Sequence, residues 1–371
     1  MTKPFLKLIN KVIKKTKTIQ LIDSLNPGGA EMMAVNIANG LNEKGVESHI
    51  CTTRLEGELK TKIKSEVGYL FLNKKRIIDF KALKTLYNYI KINEIQIIHA
   101  HSSSYFYGFL IKLVVKDIQL IWHNHFGNSL NLSKSKLILL KLFSFKFDYV
   151  ISVNQKLKDW TDKIMPLTNN CYIPNFAELN DISKTTILEG EIGKRIVCLA
   201  NLRVEKDHIN LLKAFVTIKE EFPGWTLHLV GTDWNDLYSS KIKTFIKNKK
   251  LYNHVFLYGC RNDIRFILDQ STIGVLTSKF EGLPVALIEY GLAKLPTIVT
   301  DVGQCNKVVA NLKEGIVVPS ENETMLANGI IKLINEEELR VEFGENLFKK
   351  VNLNYSKENY LKKLISIYRG E

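Results

Sequence analysis

Ser278-Lys279-Phe280-Glu281-Gly282-Leu283-Pro284-Val285-Ala286-Leu287-Ile288-Glu289 sets two carboxylates eight positions apart, one just before a Gly-Leu-Pro turn and one inside the apolar segment beyond it. The preceding run, Thr272-Ile273-Gly274-Val275-Leu276, reads as a short buried strand. Leu283 to Ala293 predicts a helix, with Pro284 tolerated in its first turn, where a missing N–H breaks no hydrogen bond. Glu281 then belongs to a strand-to-helix loop. Glu289 lies one and a half turns into the helix, at ~3.6 residues per turn. Open α/β sheets bind ligands at the carboxyl ends of their strands, and two acceptor groups there suit a ligand rich in hydroxyls. A loop glutamate and a helix-face glutamate could share this spacing by chance. The flanking strand and the Gly-Leu-Pro turn weigh against that plainer reading.

Working outward, short apolar runs alternate with helical patterns on both sides. Before the quoted segment come strands at Arg195 to Leu202, Trp225 to Gly231 and His254 to Gly259; after it comes Pro296 to Thr300. Helices begin near Lys206, Asp233, Asp263 and Pro284, and the chain is helical from Glu321 onward. An earlier series has strands at Thr18–Asp23, Val46–Thr52, Tyr69–Leu72, Ile95–His99, Ile118–Trp122 and Asp148–Val153, with helices at Glu31–Lys44 and Phe80–Ile92. Alternation of this kind implies parallel sheets covered by helices on both faces. The pattern breaks at Ile173-Pro174-Asn175 and is irregular and polar from Ala177 to Lys194. The expected organisation is α/β, with two Rossmann-like domains, 18–172 and 173–352, facing each other across a cleft. An extension over 1–17 precedes them and a C-terminal helix over 353–371 follows.

Composition narrows the function classes. The chain has 371 residues, 45% hydrophobic and 24% charged, as in ordinary soluble proteins. Cys51, Cys171, Cys198, Cys260 and Cys305 are scattered without a C-x-x-C pair, which fits a reducing compartment and argues against a zinc ribbon. No apolar run approaches the ~20 residues of a spanning helix. The first seventeen residues lack the apolar core and cleavage site of a signal peptide, so a cytoplasmic location is expected. The formal net charge of +14 is compatible with phosphorylated ligands or anionic lipid. Without an Arg-rich block, zinc-finger spacing or RNP-type motif, a nucleic-acid partner is not expected. Two segments fit a membrane surface. Phe5, Leu6, Ile9, Val12 and Ile13 share one side of a helix with Lys7, Lys11, Lys14 and Lys15 mostly opposite. Ser133 to Phe147 is rich in Leu and Phe and punctuated by Lys134, Lys136, Lys141 and Lys146. A helix packed on the protein's own core is the alternative for both.

Several motifs carry recognisable chemistry. Gly28 and Gly29 separate a strand from a helix, where backbone N–H groups and the helix dipole favour an anion. Arg203 and Lys206 follow the strand ending at Leu202; a guanidinium fork and a point charge are what a diphosphate needs. His99, His101, His123 and His125 stand at strand ends, where imidazoles can bond a hydroxyl or move a proton.

Taken in order, these motifs resemble glycosyltransferase family 4, the retaining nucleotide-sugar transferases of GT-B architecture. The likeness runs from Thr18 to about Tyr368. Its most specific part is Glu281-Gly-Leu-Pro-x4-Glu289, followed by Asn201-Leu-Arg-Val-Glu-Lys206-Asp-His and Asn210-Leu-Leu-Lys-Ala-Phe. Gly28-Gly29-Ala30-Glu31, Ile173-Pro174-Asn175 and Tyr258-Gly259-Cys260-Arg261-Asn262-Asp263 add to it. The resemblance implies that Arg203 and Lys206 hold the donor diphosphate, that Glu281 with the N–H groups of Gly282 and Leu283 contacts the donor sugar, and that Glu289 binds the ribose. Gly259, Cys260 and Arg261 correspond to the loop beside the base, and the Gly28-Gly29 loop faces the donor. The chain departs from the commonest pattern in placing Ala200-Asn201-Leu202 where Gly-Arg-Leu usually stands, so its Arg comes only three positions before the Lys. A functional histidine is implied after Trp122. His-Asn-His offers two candidates, with the lean towards His123 and with His101 on the acceptor side.

The implied catalytic set is His123, His125, Glu281 and Lys206. The implied reaction moves a sugar, with retention, from a UDP- or GDP-sugar to a glycan or lipid-linked glycan, in surface polysaccharide, capsule or lipopolysaccharide synthesis. No metal or other cofactor is expected, and the chain would sit in the cytoplasm with peripheral contact to anionic membrane. A nucleotide-sugar 2-epimerase would share the architecture but not the Glu281–Glu289 motif with Arg-x-x-Lys. A non-catalytic basic binding protein would show no affinity for nucleotide-sugars.

Overall fold

The computed structural model describes residues 16–125, 132–179 and 184–371. The amphipathic face expected over Phe5 to Lys15 therefore lies outside the described residues. The chain divides into two units: one runs to Asn175 and takes in Lys357–Glu371, and the other is Phe176–Ser356. Each has its own parallel sheet and its own core. Among the described residues no helix is long and apolar enough to cross a membrane. All five cysteines are free.

Among the described residues the first unit has seven strands: β1 (Lys17–Ser24), β2 (Glu47–Leu55), β3 (Gly68–Phe71), β4 (Ile97–His101), β5 (Gln119–Asn124), β6 (Tyr149–Ser152) and β7 (Asn169–Tyr172). Their order is β3-β2-β1-β4-β5-β6-β7. Strand β7 was not expected. Asn169-Asn170-Cys171-Tyr172 has no apolar run, because an edge strand paired only to β6 buries little. Strand side chains alternate between faces, so Ile98, Ala100, Leu120 and Trp122 enter one apolar core. In β1, β4 and β5 the intervening positions place Gln20 beside His99 and His101 beside His123, on the opposite face.

That opposite face carries the helix Lys357–Tyr368. Tyr360, Leu361, Leu364 and Tyr368 of this helix are buried. Gly40, on the helix Gly29–Glu43, gives it room: a Cβ there would come 2.8 Å from Leu361 Cδ1. Ion pairs Lys357–Glu43 at 2.6 Å and Lys44–Glu358 at 2.5 Å flank the contact. The C-terminal helix thus returns to the first unit, as expected.

Among the described residues the second unit has six strands: β8 (Arg195–Leu199), β9 (Thr226–Val230), β10 (Val255–Gly259), β11 (Ile273–Leu276), β12 (Thr297–Thr300) and β13 (Gly315–Val318). Their order is β10-β9-β8-β11-β12-β13. Strand β13 was not foreseen; it is four residues long and closes the far edge on β12. The helix expected from Leu283 begins at Val285, and Pro284 precedes it in extended conformation (φ −72°, ψ 121°). In both sheets the strand order reverses beside the first strand, between β1 and β4 and between β8 and β11. A crevice opens at such a switch point, at the carboxyl ends.

Candidate functional site

In the second unit, the loops after β8 and β11 meet at the switch point. Thr277 Oγ1 donates to the carbonyls of Lys206 (3.0 Å) and Asp207 (3.3 Å), and the Lys279 N–H donates to the Glu205 carbonyl (2.8 Å). Asp207 takes the left-handed conformation (φ 48°) between the short turn Val204–Lys206 and the helix His208–Glu221. Lys279 reaches Asp207 at 3.6 Å and Glu321 at 2.5 Å. These ties bring two predicted residues together. Lys206 Nζ donates to Glu281 Oε1 at 2.5 Å, and Ser278 Oγ donates to the same oxygen at 2.6 Å. The Glu281 side chain is 9% exposed and that of Lys206 26%, so the ammonium keeps a face towards solvent.

The Gly282–Leu283 backbone is held from the β12 side, where the Gln304 N–H donates to the Gly282 carbonyl at 3.0 Å. Gly303 makes this approach possible. Its φ is +58°, and a Cβ would lie 2.0 Å from the Glu281 carbonyl oxygen. Glu289 is half-buried on the helix Val285–Leu292. The next residue, Tyr290, fixes that helix to both central strands: its hydroxyl accepts from the Leu199 N–H (2.8 Å) and donates to the Val275 carbonyl (3.2 Å).

Arg203 lies over the Trp234 ring, 4.5 Å from its centroid. Trp234 follows β9 in the loop anchored by the Thr232 N–H donating to Asn201 Oδ1 at 2.8 Å. The sequence reading missed Trp234, Ser278 and Gly303; a tryptophan just past a strand end was the signal for the first. At the end of β10, Gly259 has φ +67°, Cys260 is half-buried, and exposed Arg261 donates to the Cys260 carbonyl (2.9 Å).

In the first unit, Gly28 is extended and its carbonyl accepts from the Met32 N–H at 2.9 Å, opening the helix at Gly29. The Glu31 carboxylate crowds Gly28, within 2.3 Å of where a Cβ would sit. Nearby Asp23 gathers donors the sequence reading had not linked: Ser103 Oγ at 2.6 Å, Lys74 Nζ at 3.2 Å and the Thr53 hydroxyl. Burial works to raise the Asp23 pKa, but these partners outweigh it and hold the carboxyl below its usual range.

The four histidines form one buried stack. His99 and His101 lie 4.7 Å apart by ring centroid, and His123 and His125 lie 3.9 Å apart. His99, His101 and His123 are fully buried, whereas His125 is partly exposed. Of the two candidates in His-Asn-His, His125 is therefore the one that reaches the surface. Burial pushes all four towards the neutral form, reinforced in His99, His101 and His123 by the charge of neighbouring imidazoles: His99 and His125 to about 3, His101 and His123 well below the ordinary value. Ring nitrogens of His99, His101 and His123 lie within 4.8 Å of one another. Both His101 nitrogens are engaged, by His125 at 2.9 Å and by Gln20 at 2.9 Å, and His99 Nδ1 lies 2.8 Å from the Tyr368 hydroxyl.

With this geometry in place, comparison with known proteins is informative. Residues 183–350 match the family model described as Glycosyl transferases group 1, and residues 27–181 match Glycosyltransferase Family 4. The capsular polysaccharide biosynthesis glycosyltransferase CapH of Staphylococcus aureus is 24% identical, over 94% of this chain and 99% of its own length. The poly(glycerol-phosphate) alpha-glucosyltransferase of Bacillus subtilis is 25% identical over 86% of this chain and 46% of its own. Among solved structures, HepE of Anabaena in complex with UDP and glucose superposes with TM-score 0.81 at 17% identity, covering 96% of this chain and 100% of that one. The pneumococcal O-GlcNAc transferase GtfA, in complex with UDP and GlcNAc, gives 0.76 at 12% identity, covering 96% and 99%.

Proposed function

Because the chain belongs to the group 1 and family 4 glycosyltransferases and has their GT-B fold, we propose that it transfers a glycosyl group from a UDP- or GDP-sugar to a hydroxyl of a glycan or lipid-linked glycan. The observation that carries this reading is the Lys206–Glu281 pair at the switch point of the second sheet, with Arg203 three residues upstream. An ammonium has three donors. Lys206 can keep Glu281 in place and still meet a diphosphate oxygen. Glu281, with the Ser278 hydroxyl and Lys206 already on one oxygen, has its other oxygen for a sugar hydroxyl. As the glycosidic bond breaks, negative charge grows on the diphosphate, and cations already in position stabilise it without reorganising. In this proposal Arg203 and Lys206 neutralise the leaving group, so no metal is required. Glu289 holds the ribose, and the Cys260–Arg261 loop lies along the base.

Retention by front-face attack accompanies this reading, and of the two histidine candidates after Trp122 it is His125 rather than His123 that is exposed enough to meet a ligand. Surface polysaccharide synthesis is the proposed setting, by analogy with the capsular relative. Peripheral attachment to an anionic membrane from the cytoplasmic side is supported by the helix Lys134–Ser144 and the residue after it. Ile138, Leu139, Leu142 and Phe145 are exposed there among Lys134, Lys136, Lys141 and Lys146.

A thermal-shift panel of UDP-glucose, UDP-N-acetylglucosamine and GDP-mannose tests the donor site, since a ligand bound only by the folded state raises apparent stability. One member should shift the wild type, and Lys206→Ala or Glu289→Ala should abolish that shift. An undiminished shift in both variants refutes the assigned donor site.

A further inference from the structure

The carboxyl edge of the first sheet carries more positive charge than its carboxylates absorb, beside a loop that turns its apolar side chains outward. Both Asp23 oxygens are taken from within: Oδ1 by the Thr53 hydroxyl and by Lys74 Nζ at 3.2 Å, Oδ2 by Ser103 Oγ at 2.6 Å. Arg54, at the end of β2, lies 3.9 Å from that carboxylate, and its side chain is 46% exposed. It makes no hydrogen bond among the described residues, so the five donors of its guanidinium face solvent. The Lys74 N–H donates to the Thr53 carbonyl at 2.8 Å, which seats Lys74 beside Arg54. Only 5% of the Lys74 side chain is exposed, and its ammonium lies 4.1 Å from the centroid of the Tyr107 ring. Burial lowers the Lys74 pKa; Asp23 opposes that shift and the like charge of Arg54 adds to it. Two cations so placed, against one carboxylate already engaged, gain from the arrival of an anion.

The residues that follow form a held loop. Asp79 caps the helix Phe80–Ile92 by accepting from the Ala82 N–H at 3.1 Å, and its second oxygen accepts from the Lys75 N–H at 3.1 Å. The Asp79 N–H donates to the Tyr107 hydroxyl at 3.2 Å. With its ends fixed in this way, the loop leaves Ile77, Ile78 and Phe80 71%, 47% and 82% exposed, and Lys75 and Arg76 are exposed with them. Tyr107 joins the two features: the Lys74 ammonium lies over its face, and its hydroxyl holds the loop. Cations and an apolar tip, both supported on one buried ring, match an amphiphile with an anionic head.

We propose that Arg54, Lys74 and the loop Lys75–Phe80 bind the phosphorylated end of a lipid-linked acceptor, the cations taking its phosphate oxygens and Ile77, Ile78 and Phe80 the first carbons of its apolar chain. This rests on the transferase reading above and selects, of the two acceptors named there, the lipid-linked one. Arg54 and the exposed loop cations meet the phosphate oxygens, and Lys74 adds its charge from beneath. A bulk membrane surface asks only for exposed groups, such as those on the helix Lys134–Ser144. A buried ammonium beside an exposed guanidinium is instead a site for a single head group.

Equilibrium dialysis of the full chain against labelled farnesyl diphosphate, farnesol and inorganic pyrophosphate tests this without any donor. Farnesyl diphosphate should bind about tenfold more tightly than either of the others, since it alone engages both parts. Arg54→Gln should weaken farnesyl diphosphate about tenfold, the scale of a charge-assisted hydrogen bond, and leave farnesol unchanged. Ile77→Ser with Phe80→Ser should weaken it by a similar factor and leave pyrophosphate unchanged. All three substituted side chains are exposed, so the fold is kept. A wild type that does not bind farnesyl diphosphate, or binding undiminished in either variant, overturns the proposal. Undiminished in both, the binding belongs to another diphosphate site, such as that around Lys206. A loop variant that loses phosphatidylglycerol vesicles but keeps farnesyl diphosphate also overturns it, and makes the loop a membrane contact only. The donor panel above is independent. If no nucleotide-sugar shifts the wild type while farnesyl diphosphate binds as stated, the transferase reading fails and the lipid site stands.

Discussion

Acidification should dismantle the first unit through its histidine stack. His99, His101, His123 and His125 are held neutral in the folded chain, with pKa values depressed below the ordinary 6.5. Above pH 6.5 neither state binds the protons and this contribution to stability is fully present. As pH falls below 6.5 the unfolded chain takes up protons that the folded chain refuses, and stability is lost down to about pH 3, where His99 and His125 finally titrate in the fold. One proton of difference is worth about 1.4 kcal/mol per pH unit. Four such groups give a slope of about 5 kcal/mol per pH unit below pH 5.5. A domain holds about 5–15 kcal/mol in total, so the stack alone exhausts it within about one to three pH units of that point. Two neighbours bear on the same face: the Tyr368 hydroxyl, which is neutral, and the Gln20 amide. Neither adds a charge to offset the imidazoles. Urea titrations at pH 7.5, 6.5, 5.5 and 4.5, followed by tryptophan fluorescence, measure the slope. Trp122 reports on this unit from the other face of β5, where its indole donates to the Ser102 carbonyl at 2.9 Å. His123→Gln should remove about a quarter of the slope, close to 1.4 kcal/mol per pH unit. A wild type whose stability changes by less than about 1 kcal/mol between pH 7.5 and 4.5 would refute the buried-neutral account.

Three further outcomes follow from particular contacts. Gly303→Ala puts a Cβ 2.0 Å from the Glu281 carbonyl at a φ of +58°; it should cost about 1–3 kcal/mol in chemical denaturation and weaken donor binding, and wild-type behaviour in both assays would show the loop to be pliant. Trp234→Ala removes the ring under Arg203 and should raise KM for the donor severalfold, the ~0.5–1 kcal/mol of a half-exposed cation–π contact, with little change in global stability; an unchanged KM would remove Arg203 from the donor site. Leu142→Asp with Phe145→Asp should abolish co-sedimentation with phosphatidylglycerol vesicles while leaving nucleotide-sugar binding intact, since both side chains are exposed; retained sedimentation would place the membrane contact elsewhere.

Much of this was legible in the chain because it depends on local order. Buried parallel strands announce themselves as apolar runs, and Thr272 to Leu276 followed by Gly-Leu-Pro set a strand, a turn and a helix with little ambiguity. Strands β7 and β13 escaped because an edge strand needs no such run: Asn169-Asn170-Cys171-Tyr172 is held by β6 and not by its own side chains. Pro284 was expected within the first helical turn, and it precedes the helix in extended conformation. The residues around the site were harder to foresee when their role is to touch something distant. Gln20 lies 348 positions from Tyr368, and no spacing rule links them.

By itself, the sequence determined which side chains stand at strand ends, Arg203, Lys206 and Glu281 in one half and the four histidines in the other, and that Glu289 lies on the helix that follows. It did so because hydrophobic periodicity fixes where strands stop. Tertiary structure alone decided which of those groups meet. Adjacency of β8 and β11 makes Lys206 and Glu281 a pair, and the pairing of β4 with β5 turns four separate histidines into one stack, of which only His125 reaches the surface. Strand order and helix docking are settled by burial summed over the whole unit, and that sum is not written in any local window of residues.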